Sequence, residues 1–365
     1  MAEISQKKVL EYCIGINAPF AIYKNPGEEK ITLLISEEVG VYGDKELSGY
    51  LKKSGFVIAP FDLQHDAGLF LKDDFVVEGS TSAEVFEAIK QIKTSGDQTT
   101  ESKCYATYNS YEKQYRQLYK AIESGKIEKA ILSRIKRVDG VDDSCAADLF
   151  YKLCSKYPEA YAFMYYTLNS GLWVGASPEL LFKVENNLGT TVSLAGTISE
   201  GEHSQWQNKE EEEQQIVTDF VTDVLKRYGV DEADVDGPKS VKAGRLFHLK
   251  TIYRFAVNGL RDKLGDFVKD LHPTPAVCGL PKNEAMEVIR RVEEHMRSYY
   301  AGFIGRINNG NVELFVNIRC MKFNDGGVDM FLGGGITVGS KPEQEWNETE
   351  LKASTLLDVI NEIKG

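Results

Sequence analysis

Apolar positions along the chain switch repeatedly between two periods. From Tyr108 the stretch "YEKQYRQLYKAIESGK" repeats its apolar residues at helical spacing and stops at Gly125, a favourable residue just past a helix C-terminus. Directly after it, "KIEKAILSR" changes to a period of two. Ile127, Lys129 and Ile131 share one face and Ala130 and Leu132 the other, so a lysine stands in a strand whose two sides are both apolar. "AYAFMYYTL", the turn "NSG", "LWVGASPELLFKV", the turn "ENNLG" and "TTVSLAGT" then read as an antiparallel meander. A helical half follows, from "KEEEEQQIVTDFVTDVLKRYG" to the turn before Val241. Near the end, "YYAGFIGRI", "NNGN", "VELFVNIRCMKF", "NDGG" and "VDMFLGGGI" make a second meander, and a last helix begins after "GSKPEQ" and runs to Ile363. Helices and antiparallel strands in separate runs predict an α+β fold rather than a doubly wound parallel sheet.

The first 75 residues or so mix a short helical pattern with the strand-like pieces "PFAIYK", "ITLLIS" and "GFVIAPFD", and the polar stretch Thr94 to Lys103 marks a loop or boundary. Residues 1–100 are therefore expected to form an N-terminal portion integrated into the same fold, with residues 101–365 carrying the chemistry. Charge narrows the partners: 43 Lys and Arg against 55 Asp and Glu give a net −12, which repels nucleic acid and anionic membrane surfaces. The six cysteines are scattered without CxxC or zinc-type spacing, as in a protein of reduced thiols. No run approaches the roughly 18 apolar residues of a membrane span, and the N-terminus lacks a long apolar stretch, so a cytoplasmic protein is expected.

P-loop, HExxH, EF-hand and nucleophile-elbow patterns are all missing. "GGGITVGS" (Gly333 to Ser340) lacks GxGxxG spacing and follows a hairpin strand; it reads either as a tight turn or as backbone amides that approach an anion. In the acidic run Glu210 to Glu213, Glu213 is in helical phase with Ile216, Val217, Phe220 and Val224, so it points inward where Glu211 and Glu212 do not. Glu345 and Glu348 likewise share an arc with Leu356, Val359 and Ile363. Inward carboxylates from two helices suit Mg²⁺, a hard cation that takes oxygen ligands; ordinary capping and surface pairing are the alternative. Arg319, at the end of "VELFVNIR", lies opposite the apolar face and is either a surface pair or a bidentate clamp for a carboxylate. Glu179, just past a proline in "GASPELLF", is placed for burial that would raise its pKa toward general-acid values. His272 sits in the Pro-rich loop "LHPTPAVCG", where a lone histidine is usually structural.

Taken in order, "KIEKAILSR", "VGASPELLF", "SLAGT", "KEEEEQQIV", "LHPTPAVCGLPKNEAM", "YYAGFIGRI", "LFVNIRC" and "GGGITVGSKPEQEWNET" resemble the chorismate-utilising enzymes over about residues 105 to 360. That family includes anthranilate, aminodeoxychorismate, isochorismate and salicylate synthases, and the resemblance implies its fold of large antiparallel β-sheets with helices packed outside. Members that add ammonia lack a lysine at the place matched by Lys129, and members that add water carry one. Aminodeoxychorismate synthases carry a nucleophilic lysine where this chain has Ala195. Gln214 stands where relatives often have histidine.

The resemblance thus implies conversion of chorismate to isochorismate, feeding menaquinone or siderophore synthesis. Lys129 would be general base on a water attacking C2, and Glu179 the acid protonating the departing C4 hydroxyl. Mg²⁺ on positions matching Glu213, Glu345 and Glu348 would bind the ring carboxylate. Arg319, Tyr300 and the amides near Gly334 and Gly335 would hold the enolpyruvyl carboxylate, with Ala195, Gly196, Thr197 and His272 lining the pocket. A monomer without a glutaminase subunit is expected. The rivals are a salicylate synthase, which goes on to eliminate pyruvate, and a catalytically silent chorismate-binding subunit.

Overall fold

A computed structural model of the chain describes residues 3–94, 104–199, 206, 208–244 and 246–364. The polar boundary expected at Thr94 to Lys103 lies, apart from Thr94, outside the described residues, as does most of the link between "LAGT" and "KEEEEQQIV".

Two nine-stranded sheets, antiparallel at every pairing, carry the structure. The first runs, in spatial order, Gly279–Leu280, Lys129–Asp139, Gly327–Ile336, Cys320–Asn324, Gly171–Ser177, Tyr161–Thr167, Phe20–Lys24, Ile31–Ile35 and Phe75–Val77. The second runs Asp234–Ala243, Leu246–Ala256, Leu188–Ser199, Leu180–Glu185, Asn311–Val316, Phe303–Asn308, Gly55–Ala59, Gly68–Lys72 and Val39–Tyr42. Strands from the first hundred residues therefore extend both sheets. Between the sheets Tyr161 of the first stacks flat on Phe315 of the second, ring centroids 4.0 Å apart. Each such fully buried large apolar side chain contributes roughly 1.5–3 kcal/mol. A second apolar cluster on the outer face of the first sheet joins it to the helices Gln6–Gly15, Ala146–Lys156 and Pro342–Lys364. The helix Tyr108–Glu123 starts at Thr107, whose hydroxyl accepts from Ser110 N, and Gly125 follows its end with φ +71°, where the sequence places the stop.

Both meanders differ from the expectation in the same way. "LWVGASPELLFKV" is not one strand: it splits into Gly171–Ser177 in the first sheet and Leu180–Glu185 in the second. "VELFVNIRCMKF" splits into Asn311–Val316 and Cys320–Asn324. Pro178 has no N–H to continue a ladder, and Arg319 takes a left-handed φ of +51°, so each segment bends from one sheet into the other. The two crossovers lie side by side: Val316 N donates to Glu179 O at 2.9 Å, Ala176 N to Arg319 O at 3.1 Å, and Ser177 Oγ to Val316 O at 2.6 Å. The region read as helical also contains a hairpin, Asp234–Ala243 with Leu246–Ala256, whose "LFHLKTIYRFA" alternates.

Among the described residues no helix is long and apolar enough to cross a membrane. The six cysteines are free thiols, and Cys13, Cys154, Cys278 and Cys320 are buried.

Candidate active site

The crossovers form one side of a cavity of about 690 Å³, partly open to solvent. Glu179 and Arg319 come from the crossovers, Ala195, Gly196 and Thr197 from a bulged strand, Glu213 from the helix Asn208–Arg227, and Tyr300, Gly333 and Gly335 from the other wall.

Lys129 is fully buried, on a strand paired on both sides. It sits behind the wall, and its Nζ donates to Glu213 Oε1 at 2.8 Å. Burial alone would raise the Glu213 pKa, but the Lys129 ammonium and its hydrogen bond, with Lys352 and Lys209 nearby, hold it below the usual carboxylate range. Glu213 is half-buried while Glu211 and Glu212 are exposed, the phase the helical periodicity gives. Gly335 leaves room for this ion pair: a Cβ there would stand 2.7 Å from Glu213 Oε1 and 3.3 Å from Lys129 Cε and would push the pair aside. Alternation along Gly327–Ile336 brings Gly333 and Gly335 to the cavity, whereas Gly334 faces Glu345, where a Cβ would stand 3.5 Å from the Oε2 atom.

Glu179 is 4% exposed, and burial raises its pKa to about 7, against the pull of Lys129, the Thr274 hydroxyl, Lys352 and Arg319. It is thus a carboxyl able to give a proton near neutrality. Arg319 lines the cavity with Nη1 buried and unpartnered, and burial lowers its pKa. Tyr300 stacks on Phe331 at 5.5 Å, and burial pushes its phenol up.

His272 is not in the cavity. Its Nε2 lies 3.3 Å from Pro60 O and its ring edge meets Phe303, while the same loop sends Ala276 and Val277 to the cavity wall. The histidine at the cavity is His248, from the hairpin that periodicity missed. Its Nδ1 lies 3.0 Å from Gly196 O, which obliges that nitrogen to carry the proton and leaves Nε2, buried without a partner, as an acceptor. Burial, then Arg319, lowers its pKa to about 3, so the ring is neutral. Gln214 ties helix to strand: its Oε1 accepts from Ala195 N at 2.8 Å and its Nε2 donates to Ser193 Oγ at 3.0 Å. Arg297 fixes the opposite wall by donating to Ile131 O and Val277 O, each at 2.8 Å, and to Glu293 at 2.6 and 2.8 Å.

The three carboxylates expected to hold a cation each meet a lysine: Glu213 accepts from Lys129, Glu345 accepts from Lys209 at 2.7 Å, and Glu348 is paired with Lys352 at 2.6 Å. Among the described residues, no three acidic, histidine or cysteine groups converge on a single point. The donor chemistry nevertheless suits a hard divalent cation. Glu345 Oε2 is buried without a partner, and burial and the neighbouring Glu348 charge raise the Glu345 pKa, a strain that a cation would relieve.

A family model described as "Chorismate binding enzyme" matches residues 73–361. The isochorismate synthase EntC of Escherichia coli (strain K12) is 26% identical over 314 residues, 82% of this chain and 79% of EntC. Anthranilate synthase component 1 of Saccharolobus solfataricus is 30% identical over 265 residues, 69% of this chain and 62% of its own. The solved structure of MenF, the menaquinone-specific isochorismate synthase from Escherichia coli, superposes with a TM-score of 0.77 at 20% identity, covering 98% of this chain and 93% of MenF.

Proposed function

Since the chain belongs to the chorismate-binding enzyme family, we propose that it is an isochorismate synthase, adding water at C2 of chorismate with loss of the C4 hydroxyl. The observation that carries this proposal is a buried lysine, Lys129, just behind the cavity wall and within electrostatic reach of Glu179, a carboxyl on the cavity poised at about 7. An amine base and a protonated acid are the pair that this exchange of hydroxyl positions needs.

A water delivers its oxygen to C2 and its proton to Lys129 Nζ, the ring double bonds shift, and the C4–O bond breaks as Glu179 gives its proton to the leaving hydroxyl. To accept that proton Lys129 must be the neutral amine, so it first leaves its ion pair with Glu213 and gives up the extra proton it holds there, the Glu213 carboxylate being the group hydrogen-bonded to take it. Arg319, with an unpartnered Nη1, and Tyr300 are placed to hold a carboxylate of the substrate. His248 Nε2 is a fixed acceptor for a hydroxyl or water. Glu213, Glu345 and Glu348 would hold Mg²⁺, which when bound would supply positive charge against the ring carboxylate.

The test is incubation of purified protein with chorismate and Mg²⁺, with and without ammonium, and identification of products by chromatography. Isochorismate alone is expected. Salicylate with pyruvate would make it a salicylate synthase, an aminated product an ammonia-adding enzyme, and no turnover a silent binding subunit.

A further inference from the structure

A larger groove, with about 1840 Å³ of space, adjoins the cavity and shares four residues with it: Pro178, Leu194, His248 and Arg319. Its walls are the hairpin Asp234–Ala243 with Leu246–Ala256, the turn at Tyr157–Ala160 and the helix Pro342–Lys364. It therefore leads from the surface to the arginine and the histidine already described.

Alternation along Leu246–Ala256 puts His248 and Lys250 on one face, about 7 Å apart along the strand. Lys250 pairs across the ladder with Leu194, which lines both spaces. So one step outward from His248 the groove presents an ammonium. That ammonium differs from the other lysines of the region. Lys129, Lys209 and Lys352 each meet a carboxylate. Lys250 is half-buried, lines the groove, and among the described residues has neither an acid nor an acceptor against its ammonium. Burial, then the charge of Arg254, lowers its pKa, so its surroundings do not compensate the charge. With no protein partner among the described residues, its Nζ is left to water or to an anion in the groove. Such a cation is also out of keeping with a chain of net charge −12, which by itself repels a dianion at a distance.

We infer that the groove is the substrate's approach to the cavity and that Lys250 is an anion-holding residue on it, taking one carboxylate of a dianionic ring acid before Arg319 does. The inference rests on the proposed function for its substrate and adds a site to it. The groove lining holds Lys156, Lys242, Lys250 and Arg319 against Glu159 and Asp358, a local excess of basic groups in a chain of net charge −12, and the second unpaired cation, Arg319, marks where the dianion stops.

The test compares Lys250→Gln and Lys250→Glu with the unaltered protein at low and high ionic strength. At low salt kcat/KM for chorismate should fall about threefold to tenfold in the glutamine variant and further in the glutamate variant, with kcat unchanged and the difference closing at high salt. Lys239→Gln is the control: Lys239 faces Lys250 across the hairpin but is paired with Asp236 at 2.5 Å and does not line the groove, so its removal should change nothing. An unchanged kcat/KM in Lys250→Gln, or an equal loss at both salts, would overturn the assignment. If the unaltered protein turns nothing over, chorismate binding by equilibrium dialysis decides. Salt-sensitive binding weakened by Lys250→Gln keeps the site and rejects the activity, whereas no binding to the unaltered protein rejects both.

Discussion

The two walls of the cavity hold charge in opposite ways. On and behind the wall built by the helices and the glycine strand, three carboxylates, of which Glu213 lines the cavity, each meet a lysine: Glu213 with Lys129, Glu345 with Lys209, Glu348 with Lys352. On the wall built by the two crossovers, Arg319 has a buried Nη1 without a partner and Glu179 is raised to about 7 by burial. The difference follows from the backbone. A helix and a straight strand offer regular positions where opposite charges can be set facing each other. A crossover offers a bent residue whose backbone is spent on the neighbouring crossover and whose side chain turns into the cavity. The paired side is largely neutralised from within, while the unpaired wall is poised toward whatever enters.

The largest effect should come from the unpaired wall. Glu179→Gln keeps shape and removes the proton, so turnover of chorismate should fall about 10²- to 10⁴-fold with the fold intact by circular dichroism. The pH dependence carries a definite sign. Burial holds the carboxyl at about 7 against an ordinary 4.5, so its neutral form contributes stability that is whole below about 4.5 and is lost as pH rises through 7. Activity should decline over the same upper window, because the acid must be protonated. Thermal melts of Glu179→Gln should lack that loss between about pH 4.5 and pH 7. A variant that keeps full activity would remove Glu179 from the chemistry.

Next comes the paired wall. Lys129→Met should abolish hydration and also destabilise the fold, by about 2–4 kcal/mol, since Glu213 then loses the ammonium hydrogen-bonded to it. Glu213→Gln added to it should recover most of that loss in a denaturant titration. If the double variant is no more stable than the single one, the pair is not the source of the stability, and the contrast between the walls fails.

How much of this was legible beforehand depends on which wall is considered. The inward phase of Glu213 and the misfit of Lys129 in an apolar strand could be read from periodicity, because regular elements translate spacing into direction. The crossovers could not. "LWVGASPELLFKV" and "VELFVNIRCMKF" look like continuous strands, and only a proline and a left-handed arginine mark where the chain leaves one sheet for the other. His248 is hidden for a different reason: its strand alternates, but the long helical run before it masks the change of period. Of the two glycines the resemblance named, Gly335 lines the cavity and Gly334 does not, since neighbours on a strand face opposite sides.

The smallest effect separates two histidines that the sequence alone would rank the other way. His248 holds Gly196 O with one nitrogen and faces the cavity, so His248→Ala should cost about tenfold in kcat/KM, the worth of one hydrogen bond of roughly 1.4 kcal/mol. His272 packs on Phe303 against Pro60, with Ala276 and Val277 as the loop's contribution to the wall. His272→Phe keeps the ring's packing and should leave kcat/KM within about twofold, its loss appearing only as a lower melting temperature from the missing hydrogen bond. Steady-state kinetics and melts on both variants measure the two sides together. Equal kinetic losses in both would mean that the loop of His272 reaches the substrate after all, and that the cavity's outline changes when it is filled.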